Sequence, residues 1–359
     1  MRNVLLDEAI LRGICSYQNG IYEDLLIQYR RWKYMPKRRR GENMVQYTKL
    51  LKDKNGLDRL VLIPEDNLCL NMLKKDKRFI LHAAIAAGDL FAVRKWLTCQ
   101  GHVLATPLAM DCAAKSGHLE IVKYLHRHRQ EGCTQQAMDY AARIGHIEIV
   151  RFLHENRTEG CTCHAIDDAA CHGHLNIVQY LIENRKEGCT ENAMTYAAAN
   201  GHLDIIRYLH THTSCQCTTH AMDNAARHGH FEVVLFLHTY RCEGCTTYAM
   251  DSAAANGDLD MVKFLHFHRH EGCTPKAMTF AARNGHLHIV EFLHHHRTEG
   301  CTPWAMDLAA KYGHFDVVEF LYNNRNEGCT PDALEFASEN GHAEIVQFFL
   351  QRQTELRII

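Results

Sequence analysis

Apolar residues recur along this chain in a fixed phase. In the stretch 301–328 (CTPWAMDLAAKYGHFDVVEFLYNNRNEG), Met306, Ala309 and Ala310 stand at i, i+3 and i+4, one face of an α-helix. This predicts a first helix, A, over Pro303–Tyr312, with Thr302 as its cap and Pro303 in its first turn. Pro107, Pro275 and Pro331 repeat that arrangement. The small alanines let neighbouring backbones approach closely. Gly313 supplies the left-handed conformation that ends a helix. Val317, Val318, Phe320 and Leu321 form the stripe of a second helix, B, over about His314–Asn324. Arg325 lies at its negative end, where a cation is favourable. Helices this short do not stand alone in water, so each must bury its seam against a neighbour.

The neighbour is another copy of the same unit. CTQQAMDYAARIGHIEIVRFLHENRTEG (133–160) and CTCHAIDDAACHGHLNIVQYLIENRKEG (161–188) repeat it, and nine copies of 28 residues fill most of the chain. The turn glycines hold register at Gly117, Gly145, Gly173, Gly201, Gly229, Gly257, Gly285, Gly313 and Gly341. A fixed period of this size means stacked supersecondary units rather than one globular core. The expected fold is all-α: a helical head over 1–77, a solenoid of about ten helix-turn-helix repeats over 78–353, and a short tail, 354–359. A solenoid presents a long surface, and long surfaces bind.

Charge adds an asymmetry. The whole chain is −2, but residues 1–77 hold 16 Lys+Arg against 10 Asp+Glu, so a polyanion would prefer the head. No apolar run reaches membrane-spanning length, and MRNVLLDEAILRG lacks the apolar region of a signal peptide. Eight of the 16 cysteines occupy one repeat position, from Cys133 to Cys329. Stacked helices sit roughly 8–10 Å apart, whereas a disulfide needs Cα atoms within about 7 Å. Column neighbours therefore should not pair, and the reading is an intracellular, cytoplasmic, monomeric protein with reduced thiols.

These residues resemble the ankyrin repeat. The family's pattern is a Pro-Leu-His-Leu-Ala-Ala helix, Gly-His, then a Leu-Glu-Ile-Val-Lys-x-Leu-Leu helix. Ala305–Ala310, Gly313-His314 and Phe315–Leu321 match it in order, and Leu119–Leu125 matches more closely. The resemblance covers about 78–353; its first unit, Leu81–Leu97, keeps His82-Ala83-Ala84 and Gly88-Asp89-Leu90. It implies a non-catalytic protein-interaction scaffold without cofactors. The unit is shorter than the family's, and the missing residues follow helix B. The β-hairpin finger is therefore expected to shrink to a turn such as Arg157–Cys161. The short unit is similar to expanded protist and giant-virus ankyrin families.

Candidate chemistry is sparse. No Gly-x-Ser-x-Gly, P-loop or dinucleotide fingerprint occurs, so nothing favours an enzyme. One histidine column follows the turn glycine (His118, His146, His174, His202, His230, His286, His314, His342); another is His126, His154, His210, His238, His266 and His294. Repeat spacing is too wide for one zinc to join column neighbours. Local groups remain at Cys161, Cys163, His164 and Cys171, and at His210, His212, Cys215, Cys217 and His220, without zinc-finger spacing. They carry the alternative of a metal-binding or redox protein. Asp111/Lys115, Asp139/Arg143, Asp223/Arg227 and Asp307/Lys311 read as i,i+4 helix pairs with a structural role.

In the head, Arg30–Arg40 holds seven bases in eleven residues. Lys37, Arg38, Arg39 and Arg40 read as an import signal or phosphate patch, the one place for nucleic acid or nuclear entry. Leu6-Asp7-Glu8, Ile14–Tyr17 and Arg30-Arg31-Trp32 resemble an F-box whose spacing they do not keep. That resemblance implies the alternative of a ubiquitin-ligase adaptor. One turn differs from the rest: Gln216 stands where the others have glycine, which is strained if the site needs positive φ. Finally, positions two before, two after and five after the helix A methionine lie opposite the buried seam. They vary while the scaffold repeats. Tyr140, Tyr196, Tyr248, Lys276 and Trp304 are the partner-binding candidates.

Overall fold

The computed structural model describes residues 76–352, together with 44–49, 60–70 and positions 22, 25, 26 and 28–30. The chain divides into two compact units, Met1–Cys189 and Thr190–Ile359. In the first, helix pairs run Phe79–Ala86 with Leu90–Leu104, Pro107–Lys115 with Leu119–His128, Gln136–Ile144 with Ile147–Asn156, and His164–Cys171 with Leu175–Asn184. In the second they run Glu191–Ala199 with Leu203–His212, Thr219–Arg227 with Phe231–Tyr240, Thr247–Asn256 with Leu259–His268, Pro275–Arg283 with Leu287–His296, Trp304–Tyr312 with Phe315–Asn324, and Asp332–Glu339 with Ala343–Gln351. The fold is the expected all-α helical-repeat solenoid.

Among the described residues of the head, one element is not the expected helix. It is a two-stranded antiparallel hairpin, β1 (Met44–Thr48) and β2 (Leu60–Pro64), in the register Met44↔Pro64 to Thr48↔Leu60. The head is tied to the first repeats by specific bonds. The Tyr47 hydroxyl donates to Asp89 Oδ2 at 3.2 Å, His82 Nδ1 donates to the Leu68 carbonyl, and Lys115 Nζ reaches the Asp66 carbonyl at 2.7 Å.

Within a repeat, the seam is as the periodicity implies. Ala137, Met138, Ala141 and Ala142 of one helix are buried with Ile149, Val150 and Leu153 of the next. The turn glycines all have positive φ. The threonine cap forms at Thr190, Thr246 and Thr274, whose hydroxyls accept from Asn192, Tyr248 and Lys276 N–H. Thr106 makes no such bond, and the helix expected to be capped by Thr302 starts at Trp304 with Pro303 at its cap and no side-chain cap bond.

Three ladders join successive repeats, and the aspartates correct one expectation. Asp111, Asp139, Asp223, Asp251 and Asp307 are buried. They face forward rather than along their own helix. Asp139 Oδ1 accepts from Thr162 N–H at 2.9 Å and Oδ2 from Thr162 Oγ1 at 2.8 Å; Asp111 and Thr134 repeat this. No i,i+4 ion pair with Arg143 or Lys115 forms among the described residues. The reason is electrostatic. The unpaired N–H groups at a helix start attract an anion, and the next helix A begins beside the aspartate. Burial pushes these carboxyls up, and the threonine bonds oppose it. Where Thr279 replaces aspartate, its hydroxyl still accepts from Thr302 N–H at 3.3 Å.

The histidine after the turn glycine makes the second ladder. His118 Nε2 donates to the Ala86 carbonyl at 3.1 Å, His230 to Ala199 at 3.0 Å and His342 to Lys311 at 3.0 Å. A carbonyl only accepts, so Nε2 carries the proton. The ring lies on the preceding repeat's glycine. Asp258 interrupts this column, and Asn256 Nδ2 takes over the bond to the Arg227 carbonyl.

The third ladder stands where the β-finger would be. Arg157 and Glu159 pair within their turn, and Glu159 Oε1 accepts from Cys133 N–H of the preceding turn at 3.2 Å. Arg185–Glu187, Arg269–Glu271 and Arg325–Glu327 repeat it. Arg325 therefore serves its turn glutamate more than the helix end. Burial raises the Glu159 carboxyl, but Arg157 and the Cys133 N–H outweigh it and hold it at about 2; Arg185 chiefly holds Glu187 at about 2. Stability from these groups is complete above the ordinary glutamate value of 4.5 and is lost as pH falls towards 2. The raised aspartates act in the opposite sense: protonation favours the fold as pH falls through their folded values. In Glu159→Gln/Glu187→Gln, the melting temperature should decline less steeply between pH 4.5 and 2 than in the parent, read by circular dichroism. Equal slopes would place acid sensitivity elsewhere.

The irregular turn corrects another expectation. Among the described residues Cys69 alone has positive φ outside glycine, so Gln216 is not in the left-handed region. Thr213 and Cys215 replace the turn's arginine and glutamate, and Thr213 Oγ1 donates to Leu209 O at 2.7 Å and accepts from Cys215 N–H at 3.2 Å. The backbone follows another path, and the expected gain from Gln216→Gly loses its basis. Uniformly reduced thiols are also corrected: within the second unit, Cys215 is in a disulfide. Cys133, Cys161, Cys217, Cys245, Cys273, Cys301 and Cys329 are free. Among the described residues no helix is long and apolar enough to cross a membrane.

Candidate functional site

Helix A buries its Met, Ala and Asp side, so the three variable positions face outward. In the second unit, Trp304 is 61% exposed, Tyr248 45% and Tyr196 41%, and Lys276 is also exposed. The helix caps set two of these residues. Thr246 Oγ1 accepts from Tyr248 N–H at 3.1 Å and Thr274 Oγ1 from Lys276 N–H at 3.2 Å. Both threonines are in turn engaged by buried aspartates, Asp223 and Asp251. The ladder that joins repeats thus also aims the candidate side chains.

Tyr248 and Lys276 line one concavity of about 400 Å³ with Arg227, Ser252, Asn256 and Phe280. Trp304 and Tyr196 are not in its lining. Tyr140 belongs to the first unit, where it is half-buried; Lys115 Nζ lies 4.6 Å from its ring centroid and its hydroxyl donates to Gln136 Oε1 at 3.3 Å. Lys37, Arg38, Arg39 and Arg40 lie outside the described residues, as does the F-box-like stretch. Ser252 and Asn256 are lining residues that the pattern did not single out, and Arg227 was read only as a helix partner of Asp223. Arg227 holds the third variable position, and the signal for it was the small residue 25 positions later.

The other clusters read as scaffold. In the second histidine column each ring meets an aromatic of the next repeat edge-on: His126 with Phe152 at 5.5 Å, His210 with Phe236 at 5.6 Å and His294 with Phe320 at 5.5 Å between centroids. Burial pushes the thiols of Cys133, Cys161, Cys245, Cys273 and Cys301 up to about 12. Such thiols stay protonated at neutral pH and are poor nucleophiles. Among the described residues one group offers metal-ligand atoms within 4.8 Å of one another: Cys163, His164 and Asp167. It shares Cys163 and His164 with the cluster seen in the sequence. Its Asp167 is buried and occupies the aspartate-column position.

Family models for ankyrin repeats match residues 110–154, 166–248 and 250–331. No match is found among curated proteins.

Proposed function

The chain belongs to the ankyrin-repeat family, and on that premise we propose that it is a non-catalytic scaffold that binds a protein partner through the variable face of its A helices. One observation carries the reading: large aromatic and charged side chains stand exposed on a face whose supporting positions are repeated and bonded. Tyr248 and Trp304 occupy the same repeat position two units apart. Exposed aromatics on a rigid support are the usual anchors of protein interfaces. The high, buried thiols disfavour the redox alternative.

The test begins with a partner captured by the full chain and identified. Trp304→Ala and Tyr248→Ala should each weaken its binding roughly 30-fold, about 2 kcal/mol. Melting should stay nearly unchanged, because neither side chain is buried. Intact affinity in both variants would remove the helix A face as the site.

A further inference from the structure

We infer that the concavity beside Tyr248 receives a carboxylate side chain of an extended partner segment, seated between Arg227 and Lys276; this rests on the protein-recognition reading above. The argument comes from comparing equivalent places in the chain itself. In three of the four other repeats with a base at the third variable position of helix A, an aromatic of the next repeat covers it; Arg143, followed by Asp168 and His172, is the exception. Lys115 lies over Tyr140 at 4.6 Å, Lys311 over Phe336 at 4.8 Å and Arg283 over Tyr312 at 5.4 Å. The covering ring is 25 or 29 residues further on. For Arg227 those places hold Ser252 and Asn256. Serine is too small to cover a guanidinium, and Asn256 Nδ2 is occupied with the Arg227 carbonyl. The missing ring leaves the concavity, and Arg227 is exposed on its wall. Among the described residues the Arg227 guanidinium has no ion-pair or ring partner.

Lys276 stands in the same lining, also exposed and without an ion pair among the described residues. The lining contains one carboxylate, Asp251. It is buried, and its oxygens accept from Thr274 N–H at 2.8 Å and Oγ1 at 2.6 Å. Two bases against one acid leave the concavity positive. Tyr248 and Phe280 add apolar ring surface, which suits the methylene stem of a glutamate. Thr247 and Ser252 add hydroxyl donors. A net single positive charge matches a carboxylate; a phosphate dianion is normally met by a larger cluster of arginines. The volume of about 400 Å³ exceeds one carboxylate and leaves room for flanking main chain.

The probe is a phage-displayed random dodecapeptide library selected on the full chain, with counter-selection on Arg227→Glu/Lys276→Glu. The expected peptides share a glutamate or aspartate beside an apolar residue. A synthetic copy should lose at least about tenfold in affinity with Arg227→Ala, with Lys276→Ala, or when its acid becomes an amide. Its affinity should fall as salt rises. The charge-reversed protein should instead prefer the copy carrying lysine at that place. Both bases are exposed and unpaired, so the variants should melt with the parent. Selected peptides lacking an acid, yet dependent on Trp304, would overturn this inference while leaving the protein-recognition reading standing. Peptides indifferent to Arg227, Lys276, Tyr248 and Trp304 would overturn both. Tight binding of a phosphoserine copy with none of the glutamate copy would assign the concavity to phosphate and overturn the carboxylate.

Discussion

Gly117→Ala should lower the denaturation midpoint far more than Gly229→Ala, although the two glycines hold the same repeat position. Both have left-handed backbone, φ +77° and +74°. An alanine there costs about 1 kcal/mol at either site. The rest of the effect depends on the next repeat. A Cβ on Gly117 would stand 2.5 Å from Cε1 and 2.6 Å from Nε2 of His146. The imidazole must leave its seat against the turn, and the expected total is about 2–3 kcal/mol. At Gly229 the column histidine is replaced by Asp258, whose Oδ2 is 3.9 Å away. That site should show the backbone cost alone. Urea titration of both variants checks the difference, with m-values compared so that a change in cooperativity is not read as stability. A cycle with His146→Ala should recover part of the Gly117→Ala loss. Equal losses at both glycines would mean that the ring does not pack as described.

Asp139→Ala should lose about 2 kcal/mol, while Arg143→Ala should stay within about 0.5 kcal/mol. The aspartate holds both the N–H and the hydroxyl of Thr162. Removing it leaves a helix-start N–H without its acceptor and frees the capping threonine. Asp139→Asn should recover part of the loss, since an amide oxygen still accepts the N–H and the hydroxyl can turn to accept from the amide nitrogen. If Arg143→Ala proved as damaging as Asp139→Ala, the pairing within one helix would be the true one and the ladder would fall. Amide exchange at Thr162 gives a local readout of the same contact.

The aspartate column shows what a one-dimensional reading misses. Asp139 and Arg143 are four apart, and helical geometry makes them neighbours. The sequence also held the other signal: a threonine follows each of these aspartates after 23 residues, as with Asp111/Thr134 and Asp251/Thr274. Choosing between the two needs the direction in which the side chain leaves a buried helix face. That direction is set by stacking. Gln216 misled for a related reason. Its turn also lacks the arginine and glutamate, so its backbone is free of the path that demands glycine elsewhere.

Repetition made the fold legible from the sequence by itself. A 28-residue period, two apolar stripes and a glycine between them determine helix pairs and their buried seams, because short amphipathic helices have no other way to leave water. The same pattern determined which positions face outward, including Tyr248, Lys276 and Trp304. Only the tertiary structure decided which of these share a concavity. Tyr248 and Lys276 meet around a gap where Ser252 stands at the position that holds a ring in Tyr140, Tyr196, Phe280 and Phe336, and the same small residue leaves Arg227 uncovered. Helical periodicity places a side chain on a face. Its neighbours across the next repeat, 23 to 31 residues away, depend on how two faces pack, and that is a property of the stack rather than of either helix.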